Sequence, residues 1–390
     1  MANGAPPSTR RTFLAGTAGT LAASALAGSS IVGCRKHRDA ITFGLYAALT
    51  GSMADFGTAS RNGVTLAAEE INAAGGLLGK PLYIAIEDTR GDSAEAASAV
   101  TRLIHIEGAV GILGEVASSL SLAGGRICQR YRIPMVSPSS TNPAVTALGD
   151  CVFRVCFIDP FQGDVMARFA RQTLGFSRVA IFKEQGSAYA VGLADAFRRA
   201  FLGLGGTIPT EQAYRSGDTH FSAQLGTILA QNPEGIFCPG YYTEAALIAR
   251  EARGQGFRGR FMGGDGWSSP SLVQNDDNQL VGDFYSVGFA PDGATTDIAR
   301  RFARNFEAKF HYAPNDLAAL AYDATLAMSQ AVTRAGAPIP ERIRAELART
   351  RNLDGATGLI SLNDHRDAVK SAVILEIHEN SANYRTTVNP

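Results

Sequence analysis

An excess of charge of either sign is missing from this 390-residue chain: 36 Lys and Arg stand against 36 Asp and Glu. The first 33 residues carry only Arg10 and Arg11, so without them 34 basic side chains face 36 acidic ones, a net charge of −2. Such a balance gives no general attraction to nucleic acid, and no nucleic-acid partner is expected. Cysteine is scarce at five residues, and no CxxC spacing occurs, which removes zinc-ribbon and dithiol redox sites. The six histidines, at 37, 105, 220, 311, 365 and 378, never fall at HxxxH spacing, so a metal hydrolase lacks its ligands. No GxGxxG opens a helix after a strand, and no GxSxG elbow exists. "AGGLLGKP" comes near a phosphate loop and fails, because Ala74 stands where the first Gly belongs and Pro81 follows Lys80. "NDDN" (275–278) lacks the alternating ligands and distal Glu of a calcium loop. The sequence therefore predicts no metal, no cofactor and no catalytic residue.

A long uninterrupted apolar run is also absent. "STRRTFLAGTAGTLAASALAGSSIVGC" (8–34) is broken by Gly, Ser and Thr, too often for a permanent membrane span. Its twin arginine, mildly apolar middle and small residues before Cys34 read as an export signal of twin-arginine type. "IVGC" (31–34) resembles a lipobox, with Cys34 as the lipidated first residue of the mature chain. Residues 1–33 are then signal and 34–40 a tether. The other cysteines, Cys128, Cys151, Cys156 and Cys238, read as buried thiols. Cys151 and Cys156, on one apparent strand, have side chains on opposite faces and cannot pair there.

What is present is an alternation of short apolar strands with amphipathic helices. Strands are read at 41–47, 81–88, 109–114 and 133–137, with helices around Val64–Ala74, Ala94–Ile106 and Leu120–Tyr131 between them. A second cycle has strands at 178–184, 235–240 and 260–266, with helices at about 188–203, 220–231 and 243–254. Continuous apolar strands alternating with helices are the mark of covered parallel sheets. Helices at about 295–311, 316–335 and 340–350 follow, expected to pack on the first lobe. "ATGLISLN" and "SAVILEIHE", with "DHRD" between them, read as a closing hairpin on the second lobe. The expected fold is α/β: two doubly wound parallel-sheet lobes joined by a multi-strand hinge, with a ligand cleft between them. Lobe 1 takes 41–152 plus 291–353, and lobe 2 takes 153–290 plus 354–390. Crossings are expected near Val152–Arg154, Gly288–Pro291 and Leu353–Gly358.

Hydroxyls and one carboxylate mark the strand ends, where open α/β sheets bind ligands. "GEVASSLSLAGG" (114–125) puts Ser118 and Ser119 at a helix start, either as anion ligands or as N-caps. "VSPSSTNPAVT" (136–146) offers Ser139, Ser140 and Thr141 in a neighbouring loop. "FMGGDGWSSPSL" (261–272) sets Asp265 between Gly264 and Gly266, beside the single tryptophan, Trp267. Such an acid grips a metal, a sugar or an ammonium group, or ends a strand.

Five stretches in order carry a family resemblance: "LTGSMADFGTASRNGVTLAAEEINAAGGLLGKPL" (49–82), "GEVASSLSLA" (114–123), "YRIPMVSPSSTNPAVT" (131–146), "PGYYTEAALIAREARGQGF" (239–257) and "FMGGDGWSSPSLV" (261–273). Across residues 40–380 the chain resembles the periplasmic Leu/Ile/Val-type binding proteins of ABC transporters, which have the type I periplasmic-binding fold. The resemblance implies a monomeric lipoprotein of an importer, in the periplasm or on the outer face of the cytoplasmic membrane, lipid-anchored at Cys34. It would deliver a branched-chain or related amino acid to permease subunits. The alternative is a sensor of amides or amino acids that signals to a membrane receptor. The implied ligand contacts are Ser118 and Thr141 on the carboxylate, and Ser139 and Asp265 on the ammonium. Tyr189 and Tyr241 are the implied aromatic lids, with Tyr242 as the alternative to Tyr241, and Phe56 lines the cleft. The family's branched-chain binders carry Glu where this chain has Asp265. A disulfide found in some members is missing, with Arg90 and Ala117 standing roughly in its places.

Overall fold

The computed structural model describes residues 39–275, 277–294 and 296–390. The expected export signal, Cys34 and most of the tether lie outside these residues. The first sheet is built from β1 (Ile41–Ala47), β2 (Leu82–Asp88), β3 (Gly111–Leu113), β4 (Met135–Ser137) and β5 (Val152–Arg154), all parallel, in the order β2-β1-β3-β4-β5. Every residue of β1 is buried, Thr42 included, as a nearly continuous apolar run requires of a strand covered on both faces. The connecting helices are α1 (Ala54–Ala73), α2 (Ser93–His105) and α3 (Ser118–Tyr131). Asp92 sets the start of α2 by accepting from the N–H groups of Ala94 and Glu95.

The chain then enters the second lobe through α4 (Asp159–Arg168), β6 (Val179–Glu184), α5 (Ala188–Gly203), β7 (Glu211–Tyr214), α6 (Ser222–Leu229), β8 (Gly235–Phe237), α7 (Tyr242–Gly254), β9 (Arg260–Gly263), α8 (Pro270–Asn275) and β10 (Phe284–Val287). It returns to the first lobe as α9 (Asp297–Phe310), α10 (Asp316–Ala335) and α11 (Pro340–Ala348). Helix α10 lies so close to α1 that a β-carbon on Gly63 would sit 2.1 Å from the Ala318 carbonyl oxygen. Only glycine permits that crossing.

The chain end departs from the sequence expectation. β11 (Leu353–Gly355) and β12 (Gly358–Ile360) form their own antiparallel pair against α9 and α10, instead of crossing into lobe 2. The chain rejoins the second sheet at β13 (Ala372–His378). The closing hairpin is β13 with β14 (Ser381–Val388), turned at Glu379-Asn380 with Asn380 at a positive φ of 59°. "DHRD" does turn the chain, but the turn is closed only by the antiparallel bridge of Leu362 with Ala368, and the strands on either side pair elsewhere. The second sheet has seven strands in the order β14-β13-β10-β9-β8-β6-β7, with β13 and β14 antiparallel additions to a parallel core. The carboxyl ends of both parallel cores face the cleft.

Candidate functional site

Lobe 1 brings two serine-bearing loops to the cleft and knots them together. After β3, the carboxylate of Glu115 accepts from the N–H of Val116 (2.7 Å) and Ala117 (3.1 Å) and from the Thr89 hydroxyl (2.9 Å). Its carbonyl accepts from the hydroxyls of Ser121, Ser137 and Ser140. Burial raises the Glu115 pKa, and these donors oppose that shift. From the other side, the fully buried Arg154 holds the loop after β4. Its guanidinium donates to the carbonyls of Ser140 and Asn142 (2.9 Å to the latter) and to the Thr146 hydroxyl (2.8 Å). It also pairs with Asp367 at 2.6 Å.

These contacts decide the role of the α3 hydroxyls. Neither Ser118 nor Ser119 caps the helix, whose N-cap is Ala117. Ser118 instead accepts from the Asn142 N–H (3.3 Å), tying the two loops of lobe 1, and Ser119 accepts from the Ala188 N–H (3.1 Å) across the cleft.

Lobe 2 supplies Tyr189 on α5, Tyr241 after β8 and Asp265 after β9. Gly264 and Gly266 matter here because β-carbons on them would come 2.4 Å from the Tyr189 hydroxyl and 2.3 Å from the Gly240 carbonyl. Bare backbone lets Tyr189 settle over the turn, where it accepts from the Gly266 N–H at 3.0 Å. Trp267 lies fully buried under the turn, with its indole N–H donating to the Cys238 carbonyl (3.1 Å). Asp265 itself accepts from Gln162 Nε2 (3.0 Å) and from the Ser139 hydroxyl of the opposite lobe (3.2 Å).

Phe56, Val116, Ser139, Tyr189, Tyr241, Asp265 and Gly266 line one small cavity of about 10 Å³. That is room for about one water molecule, so any larger ligand must enter before the lobes close. Closure is visible in the contacts across the cleft: Tyr242 donates to the Ser52 carbonyl (2.8 Å), Asn142 to the Ala188 carbonyl (2.6 Å), and Ser269 bonds Asp55. Tyr241 rather than Tyr242 faces the cavity. It stacks on Tyr189 at 5.6 Å and meets Phe56 edge-on at 5.7 Å. Five of the seven residues expected at the ligand thus line one cavity. Ser118 and Thr141 do not line it; both are buried, and the Thr141 hydroxyl has no hydrogen-bond partner of normal geometry among the described residues. A larger hollow of about 510 Å³, lined by Phe289, Ala356, Lys370 and Tyr384 among others, shares no lining residue with this cavity.

The family model for periplasmic binding proteins matches residues 40–382. The chain belongs to this family. The leucine binding protein LivK of Thermotoga maritima MSB8 is similar in structure, with a TM-score of 0.87 and 38% identity, over 90% of this chain and 99% of that one. LivJ of Streptococcus pneumoniae, a branched-chain amino acid transporter substrate binding protein solved with isoleucine, gives a TM-score of 0.85 and 31% identity, over 90% and 100% of the two chains. The Leu/Ile/Val-binding protein BraC3 of Rhizobium johnstonii is 33% identical over 60% of this chain, a match that spans 63% of its own length.

In this binding protein the sequence reading missed the buried Gln162, whose Nε2 donates to Asp265, and the buried Asp159 at the start of the same helix. The signal was weak, because α4 has no clear apolar stripe to announce it. The four other cysteines are all buried, and none is in a disulfide among the described residues.

Burial pushes several acids up: Asp159 to about 8, Asp265 to about 6, Glu184 to about 7 and Asp316 to about 7. The unfolded chain releases these protons near the ordinary values of 3.8 and 4.5. Above those values the folded state holds more protons than the unfolded one, so stability falls as pH rises through the folded values. The ligand-free protein is therefore expected to melt at a higher temperature at pH 5 than at pH 8. A melting temperature that climbs over that interval contradicts the assignment.

Proposed function

We propose that the protein is the extracytoplasmic solute-binding lipoprotein of an ABC importer, and that its ligand is a branched-chain or closely related amino acid. The observation that carries this reading is the closed cavity itself. An acid from lobe 2, Asp265, meets a hydroxyl loop from lobe 1, and Phe56, Tyr189 and Tyr241 close over the space. A zwitterion needs an anion site and a cation site a few ångströms apart, with an apolar wall between. The lobe 1 loops carry Ser118 and Thr141 for the carboxylate. Ser139 and Asp265 receive the ammonium, and the aromatic rings bury the side chain. Because these groups come from both lobes, the ligand favours the closed form, which permease subunits then read.

LivK, LivJ and BraC3 support the choice of ligand class. Export through residues 1–33 and acylation of Cys34 complete the reading, and the protein acts as a monomer tethered to the membrane.

Thermal-shift titration of the purified protein against the twenty amino acids tests it. Leucine, isoleucine or valine at a hundredfold excess over its Kd adds about 2.7 kcal/mol, enough to raise the melting temperature by several degrees. If no amino acid or small amide moves it, the ligand class is wrong. The mass of the mature N-terminus from the same preparation shows whether Cys34 is acylated.

A further inference from the structure

The hollow of about 510 Å³ lies where two connections pass between the lobes: the chain leaving β10 and the chain entering β13 both line it. Lobe 1 adds the β11–β12 turn and the start of α9, and lobe 2 adds β13 and β14. The volume falls within the range of about 300–1,000 Å³ usual for small-molecule sites. Leu359, Val369 and Tyr384, all in the lining, are large apolar side chains left exposed. Exposed apolar groups gathered around a concavity mark a surface that a ligand covers.

Lys370 is the only charged side chain in this lining. It is buried, as is Asp323 of α10 beside it. Both oxygens of Asp323 are engaged, by the N–H groups of Ala356 (2.6 Å) and Thr357 (3.0 Å) and by the Thr357 hydroxyl. Lys370 is less well served, although an ammonium has three N–H donors. Among the described residues only the Thr357 hydroxyl accepts a hydrogen bond from it. Asp323 Oδ2 stands 3.9 Å away, beyond hydrogen-bond reach. A buried cation with donors to spare is costly, and burial holds the Lys370 pKa below its ordinary value. A group that only accepts, carries negative charge and enters from the hollow removes that cost. A carboxylate is such a group.

We propose that this hollow is a second binding site, for a small carboxylate with an apolar body: the carboxylate takes the free donors of Lys370, and the body covers the exposed rim. A ligand that touches both lobes binds best to the arrangement that forms the hollow, here the closed one. Occupancy therefore strengthens binding in the cleft, and the cleft ligand strengthens binding in the hollow. This coupling rests on the amino-acid reading of the cleft; the site itself does not.

Calorimetric titration with phenylacetate and with its neutral amide, phenylacetamide, tests the proposal. Phenylacetate is expected to bind on the order of tenfold more tightly, the margin of one charge-assisted hydrogen bond. An amide that binds as well overturns the role of Lys370. Ala294→Trp fills the hollow from the loop before α9, which takes no part in the ion pair. It should abolish phenylacetate binding, and unchanged binding in a folded variant overturns the site. A crystal structure with 4-bromophenylacetate gives an answer that needs no variant. Bromine in the hollow, with the carboxylate about 2.7–3.2 Å from Lys370 Nζ, supports the proposal. Bromine in the cleft alone, or nowhere, overturns it. Saturating phenylacetate is expected to tighten leucine binding about fivefold or more. An unchanged leucine affinity overturns the coupling and leaves the site standing. A protein that holds bromophenylacetate in the hollow but binds no amino acid overturns the amino-acid reading instead.

Discussion

Replacing Arg154 with Met is expected to cost about 3–5 kcal/mol of folding stability, the usual loss when one member of a buried ion pair is removed. Arg154 is wholly inaccessible, and its partner Asp367 is nearly so. The substitution leaves the Asp367 carboxylate with the Thr146 hydroxyl (2.8 Å) as its donor. It also strips donors from the Ser140 and Asn142 carbonyls, which flank Thr141. Two consequences should separate. Denaturant unfolding reports the stability loss. Ligand affinity falls as well, because the 139–142 loop loses the group that holds it rigid. The double variant Arg154→Met/Asp367→Asn should recover much of the stability, since no charge is then buried alone. It should recover little of the affinity, since the loop carbonyls stay unbound. A single variant that costs less than about 1 kcal/mol would show that the pair is not the clamp described.

The legible part of the fold is the part with strong apolar pattern. β1 is apolar except for Thr42 and lies inside its sheet between β2 and β3, and α5 and α10 appear where their periodicity put them. β7 "EQAY" and β14 "SANYRTTV" were missed because they are edge strands, half wet and polar. The false hairpin arose from a good turn signal, "DHRD", lying between two strands that pair with other partners. No local feature specifies that Ile360 faces Leu353 while Ala372 faces Val388.

The cavity was readable for a similar reason. Strand-end loops with hydroxyls, glycine and a lone acid are conspicuous, and Phe56, Ser139, Tyr189, Tyr241 and Asp265 all belong to or border such loops. Asp159 and Gln162 belong to a short helix whose role depends on how two lobes meet. Nothing within α4 announces that its first turn lies against Thr141, 18 residues earlier in the chain.

Asp265→Ala is expected to weaken ligand binding by about 2–5 kcal/mol, roughly 30- to 5,000-fold, without weakening the ligand-free fold. The two effects part because Asp265 is costly to the empty protein. Burial pushes its pKa up to about 6, and the bonds from Gln162, Tyr189 and Ser139 only partly offset that. Removing the carboxyl relieves the cost and frees Ser139, a lobe 1 group, from its bond across the cleft. The ligand-free variant should therefore melt no lower than the wild type at pH 8, while the stabilisation given by leucine largely disappears. Asp265→Glu sharpens the argument. An extra methylene carries the carboxylate further from the β9 turn toward the ligand, so it must displace the ammonium or prop the lobes apart. If the shorter acid is matched to the position of the ammonium, the Glu variant binds leucine more weakly than the wild type. Equal or tighter binding by Asp265→Glu would instead mean that the site closes around a longer acid as readily, and that Asp265 does not set the geometry of amine recognition.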